Sequence, residues 1–191
     1  NPEDYYRLII SGLLLVMASC TGSFDPLLPV SGVNVDSVLG TESSKTTEDA
    51  DLPECLELGG PASDIHLALF EALNLYRAEN GLEPLIYSQK LEAVADAHLQ
   101  DTWNRDYFAH INPEGQEPGD RAFEAGFCHR YVGENLAAGQ RSVESVMKAW
   151  KDSPTHDQNM LREGYVYVGM GYFEDPLGRK YWAQSFAYDV P

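Results

Sequence analysis

The chain is short of positive charge: 13 Lys and Arg stand against 30 Asp and Glu, a formal net charge of -17 over 191 residues. Such a surface repels a phosphate backbone, which excludes nucleic acid as a partner, and it draws cations in. No apolar run reaches the length of a membrane helix. The N-terminal run, Leu8–Met17, covers ten residues and is interrupted by Ser11 and Gly12, whereas a span needs roughly 17–25. Cysteine is scarce, with Cys20, Cys55 and Cys128 alone, an odd number. There is no internal repeat, no Gly-x-Ser-x-Gly elbow and no pair of histidines one helical turn apart. Neither a serine nucleophile nor a local metal motif can therefore be read directly. What the chain does have is 43% hydrophobic residues and eleven tyrosines, enough for the core of one domain with extensions.

Arg7, the apolar run and then Met17-Ala18-Ser19-Cys20 predict a signal peptide over residues 1–19, with small residues placed before a cysteine as in the lipobox of bacterial lipoproteins. Cys20 is then the lipidated residue, and the membrane is a partner through that lipid. An ordinary signal peptide cut after Ala18 is the alternative. The chain begins with Asn1 rather than Met, and a few residues ahead of it are expected. Residues 20–60 are rich in Ser, Thr, Gly, Pro and acid, too poor in large apolar groups to repay ordering entropy, and read as a solvated tether. The expected location is the bacterial envelope, lipid-anchored at the outer membrane or cell surface. With Cys20 lipidated, Cys55 and Cys128 form an even pair suited to a disulfide in an oxidising compartment; two separate buried thiols are the alternative.

Residues 61–191 read as the folded domain. Ser63 or Asp64 caps a helix with Ile65, Leu69, Ala72 or Leu73, and Tyr76 on one face, ended by Gly81. A second helix follows Ser88, with Leu91, Val94 or Ala95, His98 and Thr102 along its stripe. A third runs from Asp120 to Gly126. A fourth starts at Ser142 and carries Val143, Val146, Met147 and Trp150. A short fifth has Pro154 at its first position, carries His156 and ends by Gly164. The period then changes: Tyr165–Phe173 and Lys180–Tyr188 read as strands around an Asp175–Gly178 turn, with a further strand around Asn135–Ala137. Helices first and a hairpin last predict an α+β domain.

From about Ile65 to Ala187 the chain resembles the CAP (SCP) family of cysteine-rich secretory, antigen 5 and pathogenesis-related proteins, in its bacterial branch. The matching residues are Asn74 and Arg77 with Gly81-Leu82, Leu91 with Ala95, Phe108-Ala109-His110 and Gly133-Glu134-Asn135-Leu136-Ala137. Trp150 with Ser153-Pro154-Thr155-His156, Val168-Gly169-Met170-Gly171 and Tyr181-Trp182-Ala183-Gln184 complete the series. The resemblance implies an α-β-α sandwich, a small antiparallel sheet flanked by helices, and a cleft lined by His110, Glu134 and His156. Eukaryotic members place a second glutamate just after the tryptophan. Asp152 and Ser153 stand there in this chain, so the second acid is either the shorter Asp152 or absent.

The resemblance makes His110, His156 and Glu134 candidate ligands of zinc or another divalent cation, weakly bound, or alternatively a hydrogen-bond network that touches no ligand. Three functions follow. The first is a ligand-binding module for a lipid, amphiphile or peptide. The second is a metal-assisted hydrolase of peptide or ester bonds with Glu134 as base, and the third is a structural or adhesive surface protein; binding ranks ahead of catalysis. His98 reads as a satisfied core histidine, His129 as an exposed loop residue and His66 as a first-turn residue without a role. Ser153 reads as a helix cap.

Overall fold

The computed structural model describes residues 54–189. Cys20 and the stretches expected to be a signal peptide and most of a tether lie outside the described residues. The described residues packed on the domain start ahead of the expected boundary at residue 61. A 3-10 turn at Glu54–Leu56 buries Leu56 completely, Leu58 bridges to Ser88, and Cys55 is bonded to Cys128. The apolar Leu56 and the crosslink hold this segment on the domain despite its polar composition.

Five helices and four strands follow: α1 (Asp64–Glu79), β1 (Ile86–Tyr87), α2 (Gln89–Asn104), α3 (Pro118–Glu124), β2 (Val132–Ala138), α4 (Val143–Lys151), α5 (Pro154–Met160), β3 (Tyr165–Glu174) and β4 (Lys180–Tyr188). Local chemistry accounts for most starts. The Ser88 hydroxyl accepts the Leu91 N–H, and Ser142 and Ser145 exchange hydroxyl–backbone bonds at the head of α4, each satisfying a donor the helix cannot use itself. Helix α3 begins two residues earlier than expected because Pro118 takes its first turn, behind a box formed by Glu117 and Asp120. Ser63 and Ser153 stand at N-cap positions without bonding the backbone; the Ser63 hydroxyl bonds the His66 ring instead.

The sheet has the order β1-β3-β4-β2. Three strands are antiparallel as expected, but the two-residue β1 runs parallel to β3, so the sheet is mixed. On one face α1, α4 and α5 bury Leu69, Leu73, Val146, Met147, Trp150 and Met160 against Val168, Met170, Trp182 and Phe186. On the other, α2 buries Leu91, Val94, Ala95 and Leu99 against Tyr167, Ala187, Leu136 and Ala183. Alternation along the strands feeds the two layers, giving the α-β-α sandwich. Helix α2 lies hard against β3. A Cβ on Gly169 would sit 2.1 Å from the Glu92 amide nitrogen, so only glycine allows this approach. No helix among the described residues is long and apolar enough to cross a membrane.

Strand β2 is one edge of the sheet. Its residues alternate between layers: Leu136 packs with α2, and Ala137 with α1 and α4. An exposed edge leaves backbone groups unpaired; here α3 and α5 come up beside it and cover part of it.

Candidate functional site

Glu134 sits on this edge strand, opposite Ser185 of β4. Its side chain is 2% exposed, and a carboxylate so deep must be compensated. Both oxygens are. His110 Nδ1 donates to Oε1 at 2.8 Å, and Arg121 Nη2 donates to Oε2 at 2.8 Å. The same guanidinium donates through Nη1 to the backbone carbonyls of His110 (2.7 Å) and Gln116 (3.0 Å). Arg121 therefore holds the loop carrying His110 as well as the acid that bonds its ring. The charge-assisted pair is 10% and 2% exposed on its two sides, deep enough that losing either partner strands the other.

His98 approaches from α2. Its Nε2 donates to the Ala109 carbonyl at 3.0 Å and lies 3.9 Å from Glu134 Oε1. Burial pushes this imidazole down, against the pull of the Glu134 charge. It is a satisfied core histidine, as its helical stripe suggests, yet it packs directly behind the acid.

His156 comes from α5, held by a chain of amides. Asn135 Nδ2 donates to the His156 carbonyl (3.0 Å) and to Gln184 Oε1 (3.0 Å), while Asn159 Nδ2 donates to Asn135 Oδ1 (2.9 Å) and the Glu134 carbonyl (3.3 Å). Its half-buried ring makes no hydrogen bond among the described residues. Burial, and then the proximity of His110, push its imidazole down, which favours the neutral ring and its nitrogen lone pair.

His110 and Glu134 thus meet directly, and His156 lies within electrostatic reach of His110. The three do not close into a cage of ligand atoms. Among the described residues, the group of three that does so is His66, Glu92 and Asp96, whose ligand atoms lie within 4.8 Å of one another. Asp152 caps the end of α4, is exposed, and pairs with Lys148 at 2.6 Å; it forms no bond to the other three. His129 differs from expectation. It is buried, with Nε2 donating to the Tyr188 carbonyl (3.1 Å) and Nδ1 accepting the Tyr131 N–H (3.1 Å), because the disulfide at Cys128 pins its loop.

The profile of the cysteine-rich secretory protein family, CAP, matches residues 70–186. The chain belongs to the CAP family. Among its relatives, the Bacillus subtilis protein YkwD is 31% identical over 175 residues, 82% of this chain and 67% of YkwD. The Bacillus subtilis membrane protein YlbC is 27% identical over 118 residues, 62% of this chain but 33% of YlbC. Among solved structures, an extracellular SCP-domain protein from Bacillus anthracis matches with TM-score 0.61 and 25% identity, covering 69% of this chain and 45% of that one. An outer surface protein of Borrelia burgdorferi matches with TM-score 0.59 and 20% identity, covering 63% of this chain and 90% of that one. The chain thus spans less than half of the Bacillus anthracis protein and a third of YlbC.

Within this CAP domain the residues that sequence reasoning missed are Arg121 and Asn159. Arg121 lies in a seven-residue helix and its partner is a strand away, so no periodicity could reveal it. Asn135 stood inside the matched Gly133–Ala137 segment without a stated role; it ties α5 to the edge strand.

Proposed function

We propose that the protein is an exported, lipid-anchored CAP domain that binds ligands at the cell envelope, with a divalent cation held by His110 and His156. The observation that carries the cation reading is the bond from His110 Nδ1 to Glu134. A ring that gives its Nδ1–H to a carboxylate keeps Nε2 as an oriented lone pair, the arrangement of a metal-ligating histidine with its outer carboxylate. The His110 side chain is 51% exposed, and Nε2 makes no hydrogen bond among the described residues. Two imidazoles suit zinc, and a two-nitrogen site leaves positions for water or for an oxygen of the ligand. When bound, the cation would supply a positive centre for such an oxygen.

Glu134 acts in this reading as the outer partner rather than a ligand, because its side chain is buried behind His110 and Arg121 with one of them bonded to each oxygen. The 2% exposure of its side chain, with each oxygen already bonded to a cation or a ring, counts against Glu134 as the base of a hydrolase. Space for an amphiphile or peptide lies beside the acid. A cavity of about 720 Å³ between α2 and α3 has Val94, Ala97 and Ala125 among its apolar lining and shares His98 and Arg121 with the Glu134 cluster, within the size range of small-molecule sites. Anchoring rests on the Met17–Cys20 sequence, on Cys20 being the one cysteine outside the disulfide, and on relatives described as extracellular or outer-surface proteins.

Zinc calorimetry on the wild type and on His110→Ala and His156→Ala tests the cation. One ion per chain fewer in both variants than in the wild type, with circular dichroism unchanged, supports it; the same stoichiometry and affinity in both contradicts it. Palmitate labelling of cells expressing the chain, abolished by Cys20→Ser, tests the anchor, and labelling that survives the substitution contradicts it.

A further inference from the structure

A second cluster of metal-binding side chains lies away from the His110 loop, where α1, α2 and β3 meet. Glu92 and Asp96 stand one turn apart on α2, and His66 reaches them from the first turn of α1. His66 Nε2 lies 3.1 Å from Asp96 Oδ1. Glu92 is 6% exposed, a burial that carboxylates tolerate only when paired or ligating. Neither acid has a Lys or Arg in ion-pair range among the described residues; the one cationic candidate is His66. A protonated His66 would still leave one negative charge over. A neutral imidazole with two carboxylates balances a divalent ion.

The donors are also aimed. The Ser63 hydroxyl bonds His66 Nδ1 at 2.6 Å, which turns Nε2 toward the acids. Glu92 Oε2 accepts the Tyr87 hydroxyl and the Ala62 N–H, and Oε1 takes no hydrogen bond among the described residues. Asp96 Oδ1 accepts the Tyr172 N–H at 2.8 Å, and the Asp96 side chain is 39% exposed, which gives an ion a route in. Each donor side chain is thus fixed by an outer partner, the support that oriented metal ligands have. We propose that His66, Glu92 and Asp96 form a binding site for a divalent cation of the zinc or manganese class, independent of the His110 cleft.

The test uses the full chain in the His110→Ala/His156→Ala background, titrated with Zn2+ by calorimetry. One ion per chain is expected, with affinity falling more than about tenfold on either Asp96→Asn or Glu92→Gln. No binding in that background, or binding that both substitutions leave unchanged, overturns the proposal; the latter outcome means that the acidic surface alone holds the ion. Should these variants unfold, substoichiometric Mn2+ added to the wild type decides. Selective broadening of the His66 imidazole resonances supports the site, and unbroadened His66 resonances at one equivalent overturn it.

Discussion

His110 Nδ1 lies 2.8 Å from Glu134 Oε1, and this bond joins a loop histidine to a buried edge-strand acid. The acid is held in turn by Arg121, which also bonds the carbonyl of His110 itself. Ring, carboxylate and guanidinium therefore form one closed unit, and disturbing any member displaces the others.

Arg121→Met leaves the Glu134 carboxylate buried without its cation. Breaking one side of a buried pair costs about 3–5 kcal/mol, so urea denaturation should show a loss near the lower end, given the 10% exposure of Arg121. Adding Glu134→Gln should recover a large part of the loss. A single-variant cost under about 1 kcal/mol would place the pair with weak surface bridges.

Acid sensitivity should depend on three histidines of opposite sign. His98 and His156 are pushed down on folding, so the unfolded chain takes up protons first and stability falls as pH drops below about 6.5. His66 behaves in the reverse sense. Burial pulls it down, but its bond to Asp96 and the charges of Asp96 and Glu92 lift it above its ordinary value. Its contribution is complete below about 6.5 and lost as pH rises through its folded pKa. Urea midpoints measured from pH 5 to 8 in chelator should therefore fall more steeply on acidification in His66→Gln than in the wild type. Equal slopes would mean that His66 carries no folding-linked proton.

Reduction of the Cys55–Cys128 bond, which closes a separation of 73 residues, should cost about 4 kcal/mol in the chain-entropy treatment. Urea midpoints with and without reductant give the value. Hydrogen exchange should show residues 54–60 losing protection first, since Leu56 and the crosslink are what fasten them.

Gly169→Ala drives a methyl into the backbone of α2 at Glu92 and Leu91. Overpacking of this kind costs about 1–3 kcal/mol. Because α2 also carries His98, the imidazole resonances of His98 should shift while those of His129, on another loop, stay in place.

The helices and the hairpin were legible because each is written in local terms: a cap, a stripe such as Val146, Met147 and Trp150, and a turn at Asp175–Gly178. Strand β1 was not, since two residues carry no period and their pairing is with a strand some eighty positions later. The bond between His110 and Glu134 links two motif residues that the family resemblance had already singled out. Arg121 and the amide chain through Asn135 and Asn159 were hidden, because a polar residue on a short helix looks the same whether it meets solvent or a distant acid. His129 differs for a related reason: nothing local says that a loop histidine will be carried inward by a neighbouring disulfide.

Everything proposed for the cleft turns on Glu134 working from behind His110 rather than as a ligand. The decisive quantity is the zinc affinity of Glu134→Gln, measured beside His110→Ala in an Asp96→Asn background that silences the second cluster. Glu134→Gln should retain one ion with affinity about 10–100-fold weaker, while His110→Ala should retain none. Affinity untouched by Glu134→Gln, or zinc still bound without His110, would refute that role for the acid.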